Sequence, residues 1–198
     1  DKISRKMNRI KIESILILVA ALLSQFAVSC NNHNNEPMTK NTKMEKILFI
    51  NGSPNRDGNT AALAKVLLEG REYETLNLND YRLNFYGQTL EGDQLDELIA
   101  KMKHADIIVM GSPVYWHNIC ASLRTLMERF YGYVPSGEFK GKRLFFLYQG
   151  AAPTKMMIDA GEYTMSRFAD MYGFAYEGMA TDRSEAKTLR EKLESTKQ

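Results

Sequence analysis

The chain has 198 residues, enough for one domain and too few for two of full size. Its 44% hydrophobic and 25% charged residues exclude collagen, coiled coil and disorder for most of the chain, and its two cysteines exclude a disulfide framework and a four-cysteine zinc or iron–sulfur site. Five of the 26 basic and two of the 24 acidic residues lie within residues 1–30, leaving 21 and 22 for the remainder. The part able to fold is near neutral and gives no reason to expect a nucleic-acid partner.

Residues 1–30 read as a signal-peptide-like segment. Lys2, Arg5, Lys6, Arg9 and Lys11 form a basic start, and residues 15–23 form an apolar run that continues weakly to Val28. That run is the length of a signal-peptide core and short for a membrane span of about 20 residues. It ends in Ala27-Val28-Ser29-Cys30, which resembles a bacterial lipobox with Ala27 in place of the usual leucine. On this reading Cys30 carries a lipid anchor and the protein is a cell-envelope lipoprotein. The alternative is translation from Met44 and a cytoplasmic protein. Residues 31–44 read as a flexible polar linker under either reading, and residues 45–198 as the folded domain.

From residue 45 strand and helix alternate. Residues 46–50 are a short apolar run, expected of a parallel strand buried on both faces. Residues 60–69, rich in Ala and Leu, predict a helix ending at Gly70. Residues 73–78 alternate as an edge strand. Leu95, Leu98, Ile99 and Met102 share one helical face. Residues 106–110 predict a third strand, and Leu123, Leu126, Met127 and Phe130 a helix. Residues 143–148 predict a fourth strand; Met157, Ala160, Thr164, Phe168 and Met171 mark a fourth helix, and residues 174–177 a weaker fifth strand. The last helix opens with Asp182 and Glu185 at capping-box spacing. The pattern predicts an α/β fold: a five-stranded parallel sheet with right-handed crossovers and helices on both faces. Residues 79–93 read as a loop.

In such a sheet ligands bind beyond the carboxyl ends of the strands. Three loops leave those ends. The first, Asn51-Gly52-Ser53-Pro54-Asn55-Arg56-Asp57-Gly58-Asn59-Thr60, runs into a helix N-terminus, where free N–H groups and the helix dipole favour an anion. It contains neither a Walker A nor a Gly-x-Gly-x-x-Gly pattern. It also fits a plain polar turn capped by Asn59. The second, Gly111-Ser112-Pro113-Val114-Tyr115-Trp116-His117-Asn118, holds the only tryptophan and suits a flat aromatic ligand. Tyr115 and Trp116 could instead pack under a neighbouring helix or a subunit partner. His117 is a weak catalytic candidate, more often a surface or supporting residue. Ser112 lacks the Gly-x-Ser-x-Gly elbow of a hydrolase. The third, residues 149–153, is built of small residues that let a backbone approach a planar ligand. Cys120 reads as a small packing residue. No set of His, Asp, Glu and Cys has metal-ligand spacing.

Residues 47–60 and 105–116 together resemble the phosphate loop and second flavin loop of the flavodoxin-like NAD(P)H-dependent FMN reductases, across roughly residues 45–180. The resemblance implies a flavodoxin-like doubly wound sheet of order 2-1-3-4-5 and FMN as cofactor. It implies that Ser53, Asn55, Gly58, Asn59 and Thr60 hold the FMN phosphate. It places the isoalloxazine against Pro113, Val114, Tyr115, Trp116 and Asn118, with Gly150 at its edge. NADPH or NADH would deliver hydride to the ring, and flavin, quinone or a similar small acceptor would collect two electrons. The cofactor does the redox step, which accounts for the lack of an acid–base pair. Family members are usually homodimers or homotetramers. One branch carries an iron–sulfur cluster on cysteines in the loop after strand two; residues 79–93 here contain none, so a cluster is not expected. An alternative within the fold is a flavodoxin-type FMN electron carrier without its own nicotinamide substrate. Such carriers tend to be acidic and this domain is near neutral, which favours the reductase. A cofactor-free interaction protein that kept the fold is the third possibility.

Overall fold

The computed structural model describes residues 44–195; Cys30 and the apolar segment before it lie outside them. Strand β1 is Ile47–Asn51, every residue buried. Helix α1 is Asn59–Leu67, β2 is Glu74–Asn77, and a 3-10 turn at Leu78–Asp80 follows. Then come α2 Leu95–His104, β3 Ile107–Tyr115, β4 Asn118–Ile119 and α3 Ala121–Glu128. The chain ends with β5 Arg143–Gln149, α4 Lys155–Tyr172, β6 Ala175–Ala180 and α5 Arg183–Ser195.

The sheet order is β2-β1-β3-β5-β6, all parallel, with β4 pairing antiparallel to β3. Counting only parallel strands, this is the flavodoxin-like order 2-1-3-4-5. Three expectations need correction. The third strand does not stop at residue 110: it continues to Tyr115 and turns back as β4, so much of the expected second loop is a β-hairpin. The extra strand makes six in the sheet rather than five. The first helix begins at Asn59 with Gly58 as its N-cap, so Asn59 is not the capping residue.

Side-chain alternation along the strands divides the core in two. Leu48, Ile50, Ile108, Met110, Leu144 and Phe146 face α2, α3 and α4. Phe49, Ile107, Val109, Phe145 and Leu147 face α1 and α5. Residues fully buried in such layers contribute about 1.5–3 kcal/mol each, and burial on both faces is why these strands read as unbroken apolar runs. Asp182 caps α5, its Oδ1 accepting from the N–H groups of Ser184 and Glu185 at 2.8 and 2.9 Å. Glu185 reaches back to the Thr181 N–H at 2.7 Å.

Candidate functional site

The turn after β1 is held from within. Asn51 is fully buried; its Nδ2 donates to Asn77 Oδ1 (3.1 Å) and its Oδ1 accepts from the Ser53 N–H (3.1 Å). Ser53 Oγ then accepts from the Asn55 N–H (3.2 Å), and Asn55 Oδ1 from the Asp57 N–H (3.2 Å). The chain is thereby delivered to Gly58, which has no side chain to cap α1. The first N–H groups of that helix, on Asn59, Thr60 and Ala61, have no intrahelical partner and point their positive end into the bend. Arg56 in the same bend is paired with Asp80, so its charge is neutralised from the side. Thr60 is fully buried. Its Oγ1 accepts from Gln149 Nε2 (3.4 Å).

Gly52 and Gly111 let this bend sit against β3. The Gly52 N–H donates to Gly111 O at 2.8 Å. Gly52 O accepts from Ser122 Oγ (2.6 Å) and from Cys120 Sγ (3.3 Å). A Cβ on Gly52 would lie 2.8 Å from Cys120 Sγ and 2.9 Å from Gly111 O. Cys120, 3% exposed, is thus a packing residue beneath the bend.

The β3–β4 hairpin turns on Trp116 and His117, both in left-handed backbone conformation with φ of 47° and 66°. A two-residue turn with both φ positive is the type I′ geometry that Asn-Gly normally supplies. Two bulky residues there store about 1–3 kcal/mol of strain each, and strain of this kind clusters at ligand sites. Trp116 is 94% exposed and Tyr115 49%, so neither packs under a helix of its own chain. Ser112 Oγ accepts from the Cys120 N–H (2.9 Å) and donates to Pro113 O (2.8 Å), which ties the hairpin to α3. Asn118 Oδ1 accepts from the Ile119 N–H (2.8 Å) and from Arg124 Nη2 (3.4 Å).

The loop after β5 closes the third side. A Cβ on Gly150 would meet Val114 Cβ at 3.0 Å, so the two loops touch. Between them lies a cavity of about 260 Å³ lined by Val114, Trp116, His117, Gly150, Pro153 and Met157, among others. Of the residues read from the sequence, Val114, Trp116, His117 and Gly150 line this cavity, and Pro113, Tyr115 and Asn118 build its hairpin wall. Ser53, Asn55, Gly58, Asn59 and Thr60 lie together in the bend after β1. The sequence pattern assigns no ligand role to Asn51, Gln149 or Met157. Asn51 and Gln149 sit at the strand-end positions where ligand-side polar groups are expected, whereas Met157 carried only the helical spacing of α4.

Beneath the hairpin, Tyr148 is fully buried with its hydroxyl unpaired. Burial pushes its pKa up to about 12. Farther off, burial opposes ionisation of Asp93, but the Arg129 guanidinium at 2.6 Å and the Asn84 N–H outweigh it and hold the carboxyl below its ordinary value. Among the described residues, no three or more His, Cys, Asp or Glu side chains group so as to hold a metal ion.

The order of the sheet and the three loops at its carboxyl edge define a flavodoxin-like domain, with an anion-ready bend after β1 and a mainly apolar slot between the hairpin and the loop after β5. The NADPH-dependent FMN reductase family matches residues 45–169, and the chain belongs to it. Over 98 residues it is 41% identical to an iron–sulfur flavoprotein of Methanocaldococcus jannaschii, a match covering 42% of this chain and 51% of that protein. Over 97 residues it is 34% identical to an iron–sulfur flavoprotein of Archaeoglobus fulgidus, covering 42% and 48%. The chain thus spans about half the length of these relatives. Among solved structures, RosB with bound 8-demethyl-8-formylriboflavin-5'-phosphate has a TM-score of 0.60 at 15% identity, covering 77% of this chain and 81% of RosB. The FMN-dependent NADH-azoreductase of Bacillus anthracis in complex with FMN has 0.57 at 16%, covering 76% and 95%. At these identities the two structures show the fold.

Proposed function

We propose that the chain is an FMN-dependent NAD(P)H oxidoreductase that passes two electrons through bound FMN to flavin, quinone or a similar small acceptor. The observation that carries this reading is the uncapped N-terminus of α1 at Gly58 at the same carboxyl edge of the sheet as a slot lined by the strained tryptophan turn. A phosphomonoester on a planar ring system fits that pair. Three backbone N–H groups and the Ser53 hydroxyl answer the phosphate, and at position 52 the close approach to β3 leaves no room for a side chain. Bound FMN supplies the two-electron chemistry, with a nicotinamide as donor. The chain's own part is to hold the phosphate by neutral donors, orient the ring between Val114, Trp116 and Gly150, and exclude water with an apolar wall. His117 stands at the rim of the same cavity.

Anaerobic addition of NADH or NADPH to the FMN-loaded protein tests the reading. Bleaching of the flavin absorbance supports the reductase. A flavin that stays oxidised with both donors leaves the electron carrier.

The exposed large apolar residues support a homodimer or homotetramer. Phe85, Tyr86, Leu90, Tyr131, Tyr133 and Met171 are exposed on the α2–α4 side, while α1 and α5 expose none among the described residues; Tyr86 and Tyr131 meet edge to face. A patch of this kind on one side marks an interaction surface, and sedimentation of the purified protein tests it. The motif at Cys30 supports a lipid anchor and a cell-envelope location, which N-terminal mass analysis of the native protein would test.

A further inference from the structure

The wall of the cavity carries a sulfur atom with a structural task. Met157 is the third residue of α4, and its Sδ accepts a hydrogen bond from the Thr154 backbone N–H at 3.4 Å. Thr154 Oγ1 accepts in return from the Met157 N–H, also at 3.4 Å. This is a capping box in which a thioether, a weak acceptor, stands where Glu or Gln is usual. The same side chain lines the cavity beside Val114, Trp116, Ala151, Ala152 and Pro153. It is partly exposed and so open to a small oxidant. Its neighbour Met156 is 77% exposed and is not among the cavity-lining residues.

We propose that Met157 is an oxidation-sensitive site whose sulfoxide closes the cavity to its planar ligand. The oxidant is hydrogen peroxide. One oxygen atom passes to sulfur: the O–O bond breaks, an S–O bond forms, sulfur loses two electrons and water leaves. The product is polar and chiral where the thioether was apolar. The Thr154 N–H engages one lone pair of the sulfur at 3.4 Å, so the oxygen adds at the other. The larger, polar head then disturbs the helix cap and places a sulfoxide in a mainly apolar slot. Oxidation of Met156 is silent because its side chain lies in solvent. That the excluded ligand is FMN rests on the proposed function; the oxidation and the loss of the cap do not.

The experiment treats the full chain with dilute hydrogen peroxide and compares it with untreated protein, in the wild type, Met156→Leu and Met157→Leu. Peptide mass mapping, thermal melting and FMN titration are read in each. Expected are one added oxygen at Met157, a lower melting temperature, and an FMN affinity reduced about tenfold, in wild type and Met156→Leu alike. Met157→Leu keeps the melting temperature and affinity it had before treatment. Methionine sulfoxide reductase restores the wild type. The proposal is overturned if Met157 stays unmodified while Met156 is fully oxidised, or if peroxide lowers the melting temperature of Met157→Leu as much as that of the wild type. If untreated protein binds no FMN, the flavin reading fails, and mapping with melting still decides the oxidation.

Discussion

Replacing Gly52 by alanine probes the contact on which the cleft is built. The added Cβ would lie 2.8 Å from Cys120 Sγ, 2.9 Å from Gly111 O and 3.2 Å from Leu123 Cβ. Optimal non-bonded separations are about 3.5–4.0 Å, so the first two contacts fall short by more than half an ångström. Cys120 is packed in the core, and Gly111 is in the middle of the sheet, in register with Asn51 on one side and Leu147 on the other, its carbonyl accepting from the Gly52 N–H. Neither gives way easily, so the bend after β1 must move instead. Overpacking of this kind costs about 1–3 kcal/mol. The moving segment carries Ser53 and leads to the N-terminus of α1, so FMN affinity is expected to fall at least about tenfold for each 1.4 kcal/mol of misplacement. Urea unfolding and FMN titration measure the two effects. Adding Cys120→Ala to Gly52→Ala removes the sulfur contact and leaves the carbonyl, so the double variant is expected to regain part of the stability. An unchanged unfolding midpoint and unchanged FMN affinity in Gly52→Ala would refute the close-approach argument.

Other substitutions test other parts of the account. Tyr148→Phe deletes a buried hydroxyl without a partner and is expected to raise stability by about 1 kcal/mol, read as a higher urea midpoint. Arg143, 8% exposed, donates to Glu177 Oε1 at 2.7 Å and to the Lys192 and Leu193 carbonyls that end α5, at 3.0 and 3.3 Å. Arg143→Ala removes these three bonds from a mostly buried site and should cost about 3–5 kcal/mol by thermal or urea unfolding. Asp93 has its pKa lowered from 3.8 in the folded state, so its contribution is complete above about pH 4 and is lost as pH falls through the folded value. Acid titration of stability should show this loss in the wild type and a weaker one in Arg129→Met.

How far the residues reveal the fold depends on which physics sets each part. The runs at 46–50, 106–110 and 143–148 are buried on both faces, and such burial leaves a plain apolar signature. The same holds for the helical stripe of α2; on α4 the buried face is Gly161, Met165, Phe168, Ala169 and Tyr172, so the spacing read from Met157 to Met171 meets it only at Phe168, and Met171 is exposed. The hairpin at Trp116 and His117 was hidden because its turn uses two bulky residues where Asn, Asp or Gly would have announced it. Residues 79–93 read as an irregular loop, yet long-range bonds organise the segment: Arg129 donates to Asn84 O at 2.9 Å and pairs with Asp93. Nothing local encodes an arginine more than thirty residues away. At the cleft, the Gly-, Ser- and Asn-rich bend carried its chemistry in residue types. The roles of Asn51 as a brace and of Gln149 as the donor to Thr60 arise only when strand ends are brought side by side. Arg56, available to an anion by sequence, is drawn aside by Asp80.

The central claim is that the bend from Asn51 to Thr60 grips a phosphomonoester while the tryptophan hairpin and Gly150 hold the attached ring. Calorimetric titration of the purified protein with FMN and with riboflavin, side by side, isolates the phosphate. The account expects FMN to bind at least a hundredfold more tightly, a margin of about 2.7 kcal/mol, and expects Asn59→Ala to narrow it. Equal affinities for the two flavins, or no binding of either, would contradict it.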